Sequence, residues 1–295
     1  MNIPSKLIIN RKYAEEALTK IIIDYICTAE FKMKRKKYRI GVVLSGGGAR
    51  GFAHLGVMQA LNDAGIFPDI ISGTSAGALV GVLYADGYTP EEILQIMNSS
   101  SMLHYVRPTI PREGLLQISG IEGILKDYLK ASRFEELAIP LYVTATDLNN
   151  GQATYFSKGE LIKPVIASAS IPVLFKPVII DDIYYVDGGV MDNLPVSPIE
   201  NKCSFIIGSS VNPTGYEKTV TSMVQIAERS FMLNMTKEVV LKASRFDIFI
   251  APEELKNYKI LDPQKAIEVY NIGYKETKRV LEEPETQNII RERLS

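Results

Sequence analysis

The sequence predicts a three-layer α/β/α sandwich around a mostly parallel central sheet. Short apolar runs alternate with segments of helical periodicity, and glycine-rich turns stand where the first strands pass into helices. The 295 residues, 46% of them hydrophobic, supply enough apolar surface for one buried core.

Each element has a local cause. Ile40–Ser45 is a short apolar strand bounded by Gly46-Gly47-Gly48. Ala53, Val57, Ala60, Leu61 and Ala64 lie at helical spacing, and Gly65 stops that helix. Asp69–Ser72 is the second strand, and the nearly all-apolar Ala76–Ala85 is a buried helix. A helix begins at Pro90 with Thr89 as its cap. Ser100–Gly114 lacks periodicity and reads as a mobile loop. Leu141–Ala145 is a strand and Leu161–Ala169 a helix, while Val178–Ile180 and Ile183–Val186 form a hairpin around Asp181-Asp182. Strands Phe205–Ser210 and Asp247–Ala251 flank a long helix near Val220–Ala243, and Gln264–Leu281 is the final helix, ended by Pro284.

Charge excludes several functions. With 33 Lys+Arg against 34 Asp+Glu, nothing in the net charge of -1 favours nucleic acid. Two cysteines, Cys27 and Cys203, exclude a disulfide scaffold or a cysteine-rich zinc site. Residues 1–40 nevertheless hold 10 basic and 4 acidic residues, including six basic among Lys32–Arg39. Ala14, Leu18, Ile21, Ile22, Tyr25 and Ile26 precede them at helical spacing. This segment is either a helix packed on the domain with a solvated basic connector, or a peripheral dock on an anionic membrane. No apolar run reaches membrane-spanning length, and no signal peptide is evident, so a cytoplasmic location is expected.

Two glycine motifs carry chemistry. Gly46-Gly47-Gly48-Ala49-Arg50-Gly51 satisfies G-x-G-x-x-G, and Gly73-Thr74-Ser75-Ala76-Gly77 satisfies G-x-S-x-G. Each is expected by chance about 0.1 times in a chain of this composition, so the pair is a ~1% accident. In the second motif Ser75 sits on a tight strand-to-helix turn that presents its hydroxyl as a nucleophile, with small Gly73, Ala76 and Gly77 around it. The plainer alternative is a serine capping the helix. In the first motif, Gly46, Gly47, Gly48 and Gly51 either bind a dinucleotide or expose N–H groups to an oxyanion. The acidic residue a dinucleotide site requires at the end of the next strand is missing. Arg50 either orients the loop, meets a substrate phosphate or forms a structural ion pair.

The two histidines, His54 and His104, are misplaced for a Ser–acid–His order. His54 precedes Ser75 and suits a packing role, and no histidine follows any later acid. A carboxylate acting directly on the serine is the economical base. Asp187, which ends an apolar run before Gly188 and Gly189, is the foremost candidate; Asp147 is held in reserve.

Together these motifs resemble the patatin-like phospholipase family, on its bacterial and neuropathy-target-esterase side. The glycine loop, the elbow and Asp187-Gly188-Gly189 carry the resemblance. Similar stretches are Ala167–Pro172, with Phe175 and Pro177, and Asn193-Leu194-Pro195-Val196. The likeness implies a Ser75–Asp187 dyad, an oxyanion site from the glycine loop with Arg50, hydrolysis of a lipid ester substrate through an acyl-enzyme, and no metal or organic cofactor. The resemblance covers roughly Ile40 to Ile199, and the chain is read as a basic amphipathic segment 1–39, a catalytic region 40–200 and residues 201–295 that complete the same fold. A nucleotide-binding enzyme, a silent membrane-binding protein and an acyltransferase are the competing readings.

Overall fold

A computed structural model describes residues 36–98, 119–260 and 262–294. The amphipathic segment, Cys27, His104 and the loop over 100–114 lie outside the described residues. Tyr38–Ser295 forms one compact unit.

Among the described residues, eight strands make one sheet. They are β1 (Tyr38–Leu44), β2 (Ile70–Thr74), β3 (Leu141–Asp147), β4 (Gln152–Phe156), β5 (Val178–Ile180), β6 (Ile183–Asp187), β7 (Cys203–Ser209) and β8 (Ile248–Ile250). β3, β2, β1, β7 and β8 are neighbours in that order and pair in parallel. β4, β5 and β6 are antiparallel additions. The parallel strands are buried along almost their whole length because both faces are covered. The helices are α1 (Phe52–Asp63), α2 (Ala76–Ala85), α3 (Pro90–Asn98), α4 (Ser119–Tyr128), α5 (Ile162–Ser168), α6 (Met223–Lys242), α7 (Ala266–Glu282) and α8 (Pro284–Leu294).

The side chains of β1 alternate between two cores. Val42 and Leu44 join Leu55, Leu83, Val143 and Phe205 in the larger one, which the helices α1, α2 and α7 cover. Val43 faces the smaller one, with Ile70, Leu194, Val196, Ile206 and Val239 of α6. This is the three-layer sandwich that the alternation predicts. The Asp181-Asp182 hairpin is also present, with φ of 49° and 63° at its two turn residues. Thr89 caps α3, its hydroxyl accepting from Glu92 N–H at 3.2 Å.

Three elements escape the sequence reading. α4 follows a stretch without pattern. β4 is a half-exposed strand with no apolar run. α8 corrects the expectation that the chain ends in a single helix: Pro284 does end α7, but it also occupies the first turn of a further helix, where its missing N–H costs nothing. The apolar residues of α8 are few, so periodicity gives little sign of it.

α1 and α7 cross closely. A β-carbon on Gly56 would lie 2.0 Å from Tyr270 O, and one on Gly273 would lie 2.1 Å from Ala53 O. Gly273→Val therefore forces the two helices apart. The expected loss is about 1–3 kcal/mol of unfolding free energy, read from urea denaturation of the purified protein.

Candidate active site

The geometry of β3 brings the two halves of the site together. Thr144 pairs with Thr74 of β2 and with Tyr155 of β4; the next residue, Ala145, pairs with Asp187 of β6 and with Thr154 of β4. With β4 on one side, β2 and β6 must share the other, running towards each other and ending at consecutive β3 residues. Ser75 follows the last residue of β2, and Asp187 is the last residue of β6. Ser75 Oγ donates to Asp187 Oδ2 at 2.6 Å, across 112 residues of chain.

Ser75 has φ 53° and ψ −119°, a strained conformation for a residue with a β-carbon. Its side chain makes no capping bond to α2, which removes the capping alternative. Its N–H donates to Ser168 Oγ at 2.8 Å. The turn needs its flanking glycines: a β-carbon on Gly73 would lie 2.5 Å from Gly77 O, and one on Gly77 would lie 2.3 Å from Leu44 O. The N-terminus of α2 behind Ser75 favours developing negative charge.

Asp187 is 1% exposed. Burial pushes its carboxyl up to about 7, against the hydrogen bonds from Ser75 and from Gly189 N–H, which lower it. The Gly189 N–H donates to Oδ1 at 2.8 Å. The backbone of Asp187 is held as well: its N–H donates to Ser170 O at 2.9 Å, and its carbonyl accepts from Thr146 Oγ1 at 2.9 Å. Gly188 passes so close to β3 that a β-carbon there would lie 2.3 Å from Thr144 O.

The glycine loop lies beside this pair, and its residues divide into anchors and free donors. Gly46 N–H is taken by Asn193 O at 3.2 Å, Ala49 N–H by Ile260 O at 2.7 Å, and Arg50 N–H by Gly47 O at 3.2 Å. Gly46 O accepts from Ser45 Oγ at 2.9 Å and from the Asn212 carboxamide. Gly47 and Gly48 are left as the loop amides without a partner among the described residues. Buried Arg50 donates from Nε to Tyr258 O at 2.7 Å and from Nη1 to Pro213 O at 3.3 Å, which fits the loop-orienting role. Gly51 lets the loop approach the elbow, since a β-carbon there would lie 2.4 Å from Ala76 Cβ. The expectation that Gly46 donates to an oxyanion is thus corrected, because its N–H is already engaged.

The other candidates are placed elsewhere. His54 is fully buried, with Nε2 on Ser45 O at 2.8 Å and Nδ1 on Ser209 Oγ at 2.8 Å. The carbonyl can only accept, so Nε2 carries the proton and Nδ1 accepts from the hydroxyl. Burial depresses its pKa to about 4, opposed by the Ser45 bond, and the ring is a neutral tie between α1, β1 and β7. Asp147 turns into the β3–β4 connection, accepting from Asn150 N–H and Asn149 N–H at 2.9 Å and from Asn150 Nδ2 at 2.8 Å. The bonds from Asn150 hold its carboxyl below the usual range. Its carboxyl closes a turn and leaves Ser75 to Asp187. Among the described residues, no group of three or more His, Cys, Asp or Glu could hold a metal ion.

Several residues around the site were given no role from sequence. Lys242 of α6 bridges Asp192 Oδ1, at 2.6 Å, and Glu238. Glu238 Oε2 accepts from Asn193 N–H at 2.7 Å, and Tyr155 OH donates to Asp192 Oδ2 at 2.7 Å. α6 is thereby fastened to the turn after Asp187. Only the small-residue run at Ser168 and the Asn-x-Pro at Asn193 had marked any of these positions.

The family model for patatin-like phospholipase matches residues 42–199, and the chain belongs to that family. An uncharacterized NTE family protein of Mycobacterium bovis is 36% identical over 163 residues, covering 55% of this chain and 45% of its own length. Lysophospholipase NTE1 of Kluyveromyces lactis is 28% identical over 269 residues, covering 80% of this chain and 18% of its own. The chain therefore spans less than half the length of these relatives. Among solved structures, VipD from Legionella pneumophila is similar with a TM-score of 0.46 and 18% identity, over 83% of this chain and 67% of that one.

The two buried groups make stability depend on pH in opposite senses. The Asp187 pKa is raised from 3.8 to about 7, so the folded state keeps a proton that the unfolded chain releases, and stability falls as pH rises through that window. The His54 pKa is lowered from 6.5 to about 4, so its share of stability grows as pH rises between those values. In Asp187→Asn only the His54 share remains. Urea unfolding at several pH values should show wild-type stability, relative to that variant, falling by about 1.4 kcal/mol per unit between pH 4 and 7.

Proposed function

We propose that this chain is a serine hydrolase of lipid acyl esters, of phospholipase or lysophospholipase type. The observation that carries this reading is the buried hydrogen bond from Ser75 Oγ to Asp187 Oδ2 at 2.6 Å, with the glycine loop packed against the elbow and its Gly47 and Gly48 amides without a partner among the described residues. Membership of the patatin-like family and a relative named as a lysophospholipase support it.

In this mechanism Ser75 Oγ attacks the ester carbonyl as its proton passes to Asp187 Oδ2. Burial makes that transfer feasible, since a carboxyl near 7 is a far stronger base than an ordinary aspartate. Charge gathers on the former carbonyl oxygen, where the Gly47 and Gly48 N–H groups and the N-terminus of α2 stabilise it. The leaving alcohol takes the proton from Asp187. Water then attacks the acyl-enzyme, giving a proton to Asp187, and as the acid departs that proton returns to Ser75 Oγ. A small apolar cavity of about 70 Å³, lined by Ile171, Val173, Leu174, Phe231 and Ile260, lies beside the segment that holds Asp187 and suits a hydrocarbon chain.

The domain division belongs to this proposal: 40–200 carries the reacting groups and 201–295 supplies β7, β8, α6 and α7 around them. Contact of the basic segment 1–39 with an anionic lipid surface is part of it too. No helix among the described residues is long and apolar enough to cross a membrane.

Fluorophosphonate labelling with peptide mapping, alongside hydrolysis of a lysophospholipid, tests the assignment. Wild type should label at Ser75, and Ser75→Ala should neither label nor turn over. Asp187→Asn should lose about 10²–10⁴ in kcat, and wild-type activity should rise with pH through about 7 as Asp187 ionises. Labelling at another residue, or an active Ser75→Ala enzyme, sinks the dyad.

A further inference from the structure

Asn193 stands out among the residues around the dyad. Its side chain is completely buried, yet neither Oδ1 nor Nδ2 has a hydrogen-bond partner among the described residues. Its backbone is fully used, with N–H to Glu238 and carbonyl to Gly46 N–H. A buried carboxamide without partners is costly, and an apolar side chain of the same size would fill the space at less cost.

Its position gives the reason for keeping it. The carboxamide lies in the seam between the glycine loop and the Asp187 turn. A β-carbon on Gly46 would stand 2.6 Å from Asn193 Oδ1 and 3.1 Å from Ser75 Cβ. A β-carbon on Gly189 would stand 3.1 Å from Asn193 Oδ1 and 3.1 Å from Asp187 Oδ1. Two acceptor oxygens thus border one point, and they gain nothing from each other. A half-turn about the last torsion of asparagine exchanges O for N without changing its shape. It would bring a donor, in place of an acceptor, to the point that the Asp187 carboxylate borders.

We propose that Asn193 is a positioning residue for Asp187. Its carboxamide, with Nδ2 turned to the carboxyl, joins Gly189 N–H as a second donor on the Oδ1 side and holds the carboxylate ionised and aimed at Ser75. This rests on the dyad mechanism above, which requires Asp187 as an anion at the start of each half-reaction.

The other titratable groups around Asp187 are committed elsewhere. Asp192 of the same turn is bound by Tyr155 of β4 and by Lys242, and Glu238 of α6 by Lys242 and Asn193 N–H. Asp147 of β3 is closed on Asn149 and Asn150, Lys163 of α5 is exposed towards Glu160, and His54 of α1 bonds Ser45 and Ser209. Asn193 is left as the polar side chain whose substitution acts on Asp187 without breaking another pair.

The test is the titration of Asp187 in wild type, Asn193→Leu and Asn193→Asp, followed by carbon-13 NMR of its carboxyl. The acid limb of kcat/KM on a water-soluble ester and the melting temperature are measured in parallel. Loss of the donor in Asn193→Leu should move the Asp187 titration and the acid limb up by about one pH unit or more, with melting temperature unchanged or higher. Asn193→Asp keeps the shape and should move both at least as far, so it carries the test if the leucine variant fails to fold. An Asp187 titration within about 0.3 units of wild type in the folded variants overturns the proposal. An enzyme that neither labels at Ser75 nor hydrolyses esters refutes the functional reading instead, and the NMR titration still decides the role of Asn193.

Discussion

The meeting of β2 and β6 along one side of β3 is the constraint on which the site depends. Two strands running in opposite directions end at consecutive β3 residues, and that places a hydroxyl and a carboxyl 2.6 Å apart in the protein interior. Much of the surrounding sequence serves this approach. Gly73 lets β2 close on the start of α2, Gly77 lets the elbow lie against the end of β1, Gly188 lets the turn lie against β3, and Ser168 and Ser170 take the N–H groups of Ser75 and Asp187. A bulkier residue at any of these glycines would disturb the 2.6 Å approach of Ser75 to Asp187.

In the proposed mechanism, burial of Asp187 takes the part that a histidine plays in other serine hydrolases. A solvated aspartate is too weak a base to take a serine proton, whereas one held near 7 by desolvation is matched to neutral pH. The same burial keeps His54 neutral, so it ties strand ends together and adds no charge near the dyad. The cost of leaving Asp187 in this environment falls on stability, and the apolar cores on either side of the sheet offset it.

The C-terminal third of the chain is built into the same arrangement. β7 pairs with β1 and supplies Ser209 to His54; Ile260 and Tyr258 hold the glycine loop from outside. α6 reaches the Asp187 turn through Lys242, Asp192 and Glu238. The loop, the elbow and the aspartate turn are thus each anchored from a different part of the fold. The Gly47 and Gly48 amides stay free because their neighbours are tied down.

The strand–helix alternation and the two glycine motifs were legible in the sequence because each is a local pattern. Apolar runs report burial, and Gly-x-Ser-x-Gly reports a turn that only small residues permit. The scarcity and order of histidines pointed to a carboxylate base, and the residues after Asp187 made it the foremost choice over Asp147. The tertiary structure decided what depends on pairing across the sheet. It sent Asp147 into a turn and Asp187 to Ser75, engaged Gly46 N–H while leaving Gly47 and Gly48 free, turned Arg50 to backbone carbonyls, and left the Asn193 carboxamide without a partner. Apart from the local turn at Asp147, none of these could be read from neighbours in sequence, because the groups concerned lie far apart in the chain and only the fold brings them together.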